Sequence, residues 1–180
     1  NWIGRLSACL ALALTSPFAL VTVLKSKWQG QRVFRVRRAV PAQTNSQALI
    51  IYLEFANAKG WWKRWPQLWN VARGDFSWIG NRPLTPIEAG KLANDFEHLW
   101  LAAPIGLISQ GDAEGCSDTT SDESRAHASF YATQANWRLD CTIFFRALKR
   151  AFQQNPLVNF QNEAAEIKPR TFDLNRLFFR

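Results

Sequence analysis

The longest hydrophobic block lies at the front of the chain. Leu6 to Leu24, LSACLALALTSPFALVTVL, is uncharged and is flanked by Arg5, Lys25 and Lys27. Its length approaches the roughly 20 residues a helix needs to cross a bilayer core. Pro17, beside Ser16, interrupts it, because proline removes a helical N–H and clashes one turn back. Two arms of about ten residues, with cationic outer ends, predict a re-entrant hairpin hinged at Ser16 and Pro17. A kinked spanning helix fits the same pattern.

Shorter periodicities follow. Residues 30–40, GQRVFRVRRAV, alternate cations around Val33 and Val36 and read as a strand. QALIIYLEF (47–55) is apolar, either helix or buried strand. Thr85, Pro86 and Glu88 predict a capped helix running to about Trp100. SQGDAEGCSDTTSDESRAH (109–127) is polar, acidic and rich in turn formers, and is expected to be a loop or lid. A helix is predicted from about Ala135 to Gln153, with Leu139, Ile143, Phe144, Ala147 and Leu148 on its apolar face. Pro156 ends it. The tail to Arg180 mixes apolar and basic residues.

Charge changes this picture because of where it falls. The net charge is +8, and residues 1–82 carry 12 Lys/Arg against Glu54 and Asp75 alone. The remaining residues carry 10 against 12. The front half therefore offers a cationic surface to an anionic partner. The chain has no Met and starts at Asn1, the expectation being a processed or truncated product. Cys9, Cys116 and Cys141 lack zinc-ligand spacing and are expected as unpaired thiols; His98 and His127 are isolated. Neither a metal nor a resident cofactor is expected. Trp61, Trp62, Trp65, Trp69 and Trp78 crowd a basic stretch, which suits an interfacial aromatic belt better than nucleic acid.

The most specific stretch is PQLWNVARGDFSWIGNRP (66–83), which lies close to the pattern PQLxNVxxGDMSxVGPRP. With APIGLISQG (103–111) and SFYATQANWRLDCTIFFRALKRAF (129–152) after it, and the apolar segment before it, the chain resembles the bacterial sugar transferases, the monotopic phosphoglycosyl transferases. Those enzymes move a sugar phosphate from a nucleotide sugar to a polyprenyl phosphate at the cytoplasmic membrane face. The resemblance implies an α+β monotopic fold: a membrane hairpin (1–27), a transferase-like domain (28–152) with a small sheet and interfacial helices, and a C-terminal tail (153–180). It also implies Arg73, Asp75, Asn81, Arg82 and Pro83 as phosphate- or substrate-binding positions.

One departure matters most. The family carries an Asp-Glu catalytic dyad just before Leu-Pro-Gln, and in active members Mg²⁺ assists it. Here those positions are Lys63 and Arg64. A protonated Lys or Arg offers neither a carboxylate nucleophile nor an oxygen ligand. The pro-arg-pro element also reads Asn81-Arg82-Pro83, and Ala128 replaces the acid before Tyr131. The expectation is a membrane protein that has lost phosphoglycosyl transfer, binds phosphate or lipid, and serves as a subunit of a membrane assembly docked through 157–180. The alternative is a working transferase in glycan biosynthesis. Expected partners are membrane lipid, a polyprenyl phosphate or nucleotide sugar, and other membrane proteins. The expected location is the cytoplasmic face of a bacterial inner, or intracytoplasmic, membrane.

Overall fold

The computed structural model describes residues 2–42, 48–116, 119 and 121–153. The tail expected to dock a partner lies outside them. Helix α1 spans Trp2–Trp28. It is one helix through Ser16 and Pro17, which corrects the expected two-armed hairpin. The local reason is visible at the proline. Pro17 cannot donate to the Ala13 carbonyl one turn back, and the Ser16 hydroxyl donates to that carbonyl instead at 2.9 Å. The orphaned acceptor is satisfied without breaking the helix.

The tertiary reason is a stripe of small residues. Gly4, Ala8, Ala11, Thr15, Ala19, Thr22 and Ser26 recur at spacings of three and four, placing them on one helical face. All seven are buried or half-buried, and Ala8 is fully so. Three indoles hold this face. Trp78 Nε1 donates to the Gly4 carbonyl and to Ser7 Oγ at 3.0 and 2.9 Å. Trp65 Nε1 donates to Thr15 Oγ1 at 2.7 Å, and Trp62 Nε1 to Thr22 Oγ1 at 2.9 Å. From Gly4 to Thr22 these contacts extend over about 27 Å of helix. The expected aromatic belt is thus corrected for Trp62, Trp65 and Trp78, whose N–H groups clamp α1. Trp69 remains exposed.

The large apolar residues of α1 point away from the domain. Leu6, Leu10, Leu14, Phe18, Val21 and Leu24 are exposed, as is Trp28. By length and composition, α1 can cross a membrane.

Strands β1 (Phe34–Ala39) and β2 (Ile50–Phe55) form an antiparallel ribbon, with Arg37 opposite Tyr52 and Val36 opposite Leu53. The segment left open between helix and strand is therefore a strand. A 3-10 helix over Gly60–Gln67 carries Lys63 and Arg64, and α2 (Leu68–Arg73) continues from it. Gly74 ends α2 in the left-handed conformation, with the Arg5 guanidinium lying where a side chain would stand.

Strand β3 (Ser77–Ile79) pairs in parallel with β4 (Gly106–Ile108). Beside this pair Gly80 and Gly106 touch backbone to backbone, and a Cβ on either would run into the other. Between the strands lie α3 (Pro86–Ala89), α4 (Asp95–His98) and a short 3-10 helix over Leu99–Ala102. The predicted Thr85/Glu88 capping box is present, but the single helix expected to reach Trp100 is divided at Gly90 and again capped by Asn94.

The expected lid at 109–127 holds helix α5 (Gln110–Glu114) and the start of α6 (Asp122–Gln134). Ser109 and Ser121 cap them, a case of turn-forming residues doubling as N-caps. The last described helix, α7 (Trp137–Gln153), packs through Leu139, Ile143 and Ala147 onto the core that includes Ala8, Tyr52, Val71, Phe76 and Ile108. Phe144 and Leu148, also predicted for that face, lie at its exposed margin.

Candidate functional site

The 3-10 helix puts the adjacent cations Lys63 and Arg64 on diverging paths. Lys63 Nζ lies 3.3 Å from Glu54 Oε2 on β2. Glu54 also faces Arg37 at 3.4 Å and accepts from Gln67 Nε2 at 3.3 Å. It is 8% exposed, a buried carboxylate compensated by two cations and an amide, as burial of a charge requires.

Arg64 turns the other way. Its Nη1 donates to Asp112 Oδ2 at 2.8 Å and to the Leu107 carbonyl at 3.3 Å. Arg82 Nη2 takes the other carboxylate oxygen of Asp112. The Asp112 side chain is 9% exposed and also completes the α5 capping box, accepting from Ser109 N at 2.9 Å and Ser109 Oγ at 2.8 Å. Burial alone would raise its pKa. The two guanidiniums and their hydrogen bonds outweigh that and bring it down to about 2. Asp112 is ionised at neutral pH and is tied from both sides.

A cavity of about 140 Å³ opens beside this triad, lined by Arg64, Arg82, Arg150, Asp112, Trp61 and Gly115 among others. Arg150 comes from α7, and its guanidinium covers Gly115, whose missing side chain leaves that room. Three guanidiniums against one carboxylate make the cavity cationic. Arginine forks in such a wall suit phosphate oxygens. Arg150 and Asp112 were not among the sequence-derived site residues. Arg150 reads as a cation at a helix end, and Asp112 sits in a stretch whose composition resembles a loop.

The other expected site residues go elsewhere. Arg73 and Asp75 pair with each other at 3.5 Å at the end of α2, away from the arginine cavity's lining. Asn81 is 2% exposed, and its Nδ2 donates to the Trp100 and Ala128 carbonyls at 2.9 and 3.0 Å. Its amide hydrogens thus join the Leu99–Ala102 turn to α6. Pro83 is half-buried ahead of Leu84 and α3. Among the five, Arg82 alone lines the arginine cavity. A second cavity, about 460 Å³, lies between the start of α1, the end of α2 and the α6–α7 junction. Tyr131 and Asp140 meet there, the tyrosine hydroxyl donating at 2.8 Å. Burial and then the Asp140 carboxylate push the Tyr131 pKa upward.

The run from Pro66 to Pro83 serves mainly as scaffold. Gln67 holds Glu54, Asn70 ties α2 to the Ile51 carbonyl at 2.9 Å, Gly74 ends the helix and Gly80 permits the close approach to β4. Residues 63–154 match the family described as Bacterial sugar transferase. That is more than half of the chain. The chain belongs to the bacterial sugar transferase family.

Two curated relatives agree. It is 33% identical over 85 residues to the UDP-galactose-lipid carrier transferase of Erwinia amylovora. It is 33% identical over 86 residues to the undecaprenyl-phosphate galactose phosphotransferase of Salmonella typhimurium. These alignments cover 46% and 47% of this chain, and 17% of each relative. The chain thus matches about a sixth of the length of these relatives.

The resemblance brings with it a divalent cation at the dyad positions, and the donor set in this family member does not fit one. Lys63 and Arg64 supply no oxygen, and Mg²⁺ takes oxygen ligands. The neighbouring carboxylates, Glu54 and Asp112, already carry two cationic partners each.

Proposed function

We propose that this bacterial sugar transferase-family chain binds a phosphate-bearing ligand in the Arg64–Arg82–Arg150 cavity without forming a covalent phosphosugar intermediate. The observation that carries this reading is the fate of the two dyad positions. Both are cations, and each is locked to a carboxylate brought from another element. A nucleophile must present a free lone pair to phosphorus. Asp112 lines the cavity, but its oxygens accept from Arg64, Arg82 and Ser109, which lowers its reactivity. The ligand class follows from the relatives' names, a polyprenyl phosphate or a nucleotide sugar. Either presents phosphate oxygens that the guanidiniums can bind.

The exposed apolar face of α1 supports attachment to a membrane. Because the domain grips α1 over about 27 Å, crossing a hydrocarbon core of about 30 Å would carry the Trp62 and Trp65 segment into the lipid. The reading is therefore of a helix lying at the bilayer surface or dipping into it, with the domain on the cytoplasmic side of a bacterial inner membrane. There the chain acts as a binding or structural subunit of a membrane assembly.

The test is a transfer assay with the purified protein, Mg²⁺, polyprenyl phosphate and a panel of UDP-sugars, alongside a thermal-shift measurement of ligand binding. No UMP release, with stabilisation by a diphosphate ligand that Arg150→Ala removes, is the expected result. Turnover abolished by Lys63→Ala would overturn the reading. The second reading, an active transferase, is favoured by the 33% identity to two proteins named as galactose-phosphate transferring enzymes, and UMP release would select it.

A further inference from the structure

The end of α5 and the start of α6 bring together three side chains that the sequence holds apart. Cys116 follows Gly115, the left-handed residue ending α5, and its backbone N–H donates to the Gly111 carbonyl at 2.8 Å. The backbone of the cysteine is thereby held in place. Glu123 and His127 stand one turn apart on α6, with His127 Nε2 at 3.8 Å from Glu123 Oε1. The Cys116 sulfur, a Glu123 carboxylate oxygen and a His127 ring nitrogen all lie within 4.8 Å of one another.

We propose that Cys116, Glu123 and His127 form a binding site for a zinc-class divalent cation, distinct from the arginine cavity. The chemistry of the set points to that class. A thiolate and an imidazole select borderline-soft ions such as Zn²⁺, whereas Mg²⁺ and Ca²⁺ require oxygen shells. Zinc–ligand distances of about 2.0 to 2.3 Å in a tetrahedron separate the ligand atoms by roughly 3.3 to 3.6 Å. The 3.8 Å already measured between Glu123 and His127 is close to that. The Glu123 side chain is 71% exposed, so it is free to rotate the carboxylate inward at little cost. Three protein ligands leave a fourth position for water or another donor. On binding, the thiol gives its proton to solvent and the ion takes a thiolate, a carboxylate and a neutral imidazole.

The consequence for the molecule lies in what the metal would join. It would tie the end of α5 to the first turns of α6. Helix α5 carries Asp112, the carboxylate between Arg64 and Arg82. A bound ion would brace the end of α5 beside the arginine cavity, whose lining includes Gly115. This proposal does not depend on what the cavity binds.

The experiment uses the full chain in detergent micelles with Cys9→Ser and Cys141→Ser, so that Cys116 is the single thiol. Co²⁺ is titrated in as a spectroscopic probe. The expected result is a thiolate-to-cobalt charge-transfer band that saturates at one equivalent, is bleached by one equivalent of Zn²⁺ and persists in excess Mg²⁺. Glu123→Ala and His127→Ala should each weaken Zn²⁺ binding by at least the roughly tenfold that loss of even an outer-shell partner costs. Zn²⁺ should also slow alkylation of Cys116 in the otherwise unaltered protein. Absence of the band, Zn²⁺ affinity left unchanged by both alanine substitutions, or alkylation unaffected by Zn²⁺ would overturn the proposal.

Discussion

Arg64 and Asp112 are 48 positions apart in the chain and meet at 2.8 Å in a half-buried ion pair. Arg64 stands where the family has an acid, so the carboxylate at this corner comes from α5 instead. Arg82 closes the pair into a triad from the opposite side.

Acid should loosen the triad only at low pH. The Asp112 pKa falls from its ordinary 3.8 to about 2 in the folded protein. A folded value below the unfolded one means that the stabilisation is complete above about pH 4 and is lost as the pH falls toward 2. The contribution is roughly 2 kcal/mol. Asp112→Asn should flatten the acid limb of the stability curve in that window, measured by denaturant unfolding at a series of pH values. It should also cost roughly 3 kcal/mol at neutral pH, because two guanidiniums lose their counter-charge.

Lys63 should matter less to stability than its neighbour's partner does. Its side chain is 39% exposed, and Glu54 keeps Arg37 and Gln67 when it is removed. Lys63→Ala should cost less than about 1 kcal/mol. Chemical denaturation of the two variants in parallel would check the ordering, and a larger loss from Lys63→Ala than from Asp112→Asn would contradict it.

The contact between Gly80 and Gly106 tolerates no side chain. Gly106→Ala should destabilise by roughly 1 to 3 kcal/mol or more, since backbone atoms must move to admit the methyl. Gly90→Ala is the control, because its nearest neighbour beyond the helix backbone's reach lies at 3.4 Å. Melting temperatures of the two variants should separate clearly.

The small-residue face of α1 yields a packing prediction and a topological one. Ala8→Leu, at a fully buried position, should lower the melting temperature in detergent, whereas Ala13→Leu on the exposed face should leave it unchanged. Single cysteines placed at Trp2 and Trp28 in a background without the native thiols should be labelled from the same side of a membrane vesicle. Labelling from opposite sides would establish a spanning helix.

Much was legible in the chain itself. The run Pro66 to Pro83 pointed to the family through its likeness to the pattern PQLxNVxxGDMSxVGPRP. The capping box at Thr85 and the strand character of residues 34–39 are local effects of hydrogen bonding and side-chain shape, and they survive into the structure. Lys63 and Arg64 could also be recognised as unsuited to a carboxylate's work from residue type alone.

Tertiary structure decided the rest, for reasons that spacing along the chain does not encode. Pro17 suggested a hinge, but Ser16 satisfied the freed carbonyl locally and the Trp62, Trp65 and Trp78 indoles held the small-residue face from outside. Asp112 lay in a stretch that composition assigns to a loop; only the fold, which brings Arg64 from the Gly60–Gln67 turn and Arg82 from beyond β3 to α5, gave it two arginine partners. Asn81, read as a ligand group, became buried, and its amide hydrogens go to the Trp100 carbonyl of the Leu99–Ala102 turn and to the Ala128 carbonyl of α6. Cys116 and His127 came together in the same way. Local sequence determines which backbone shapes are inexpensive, while long-range contacts determine which charges and thiols share a wall.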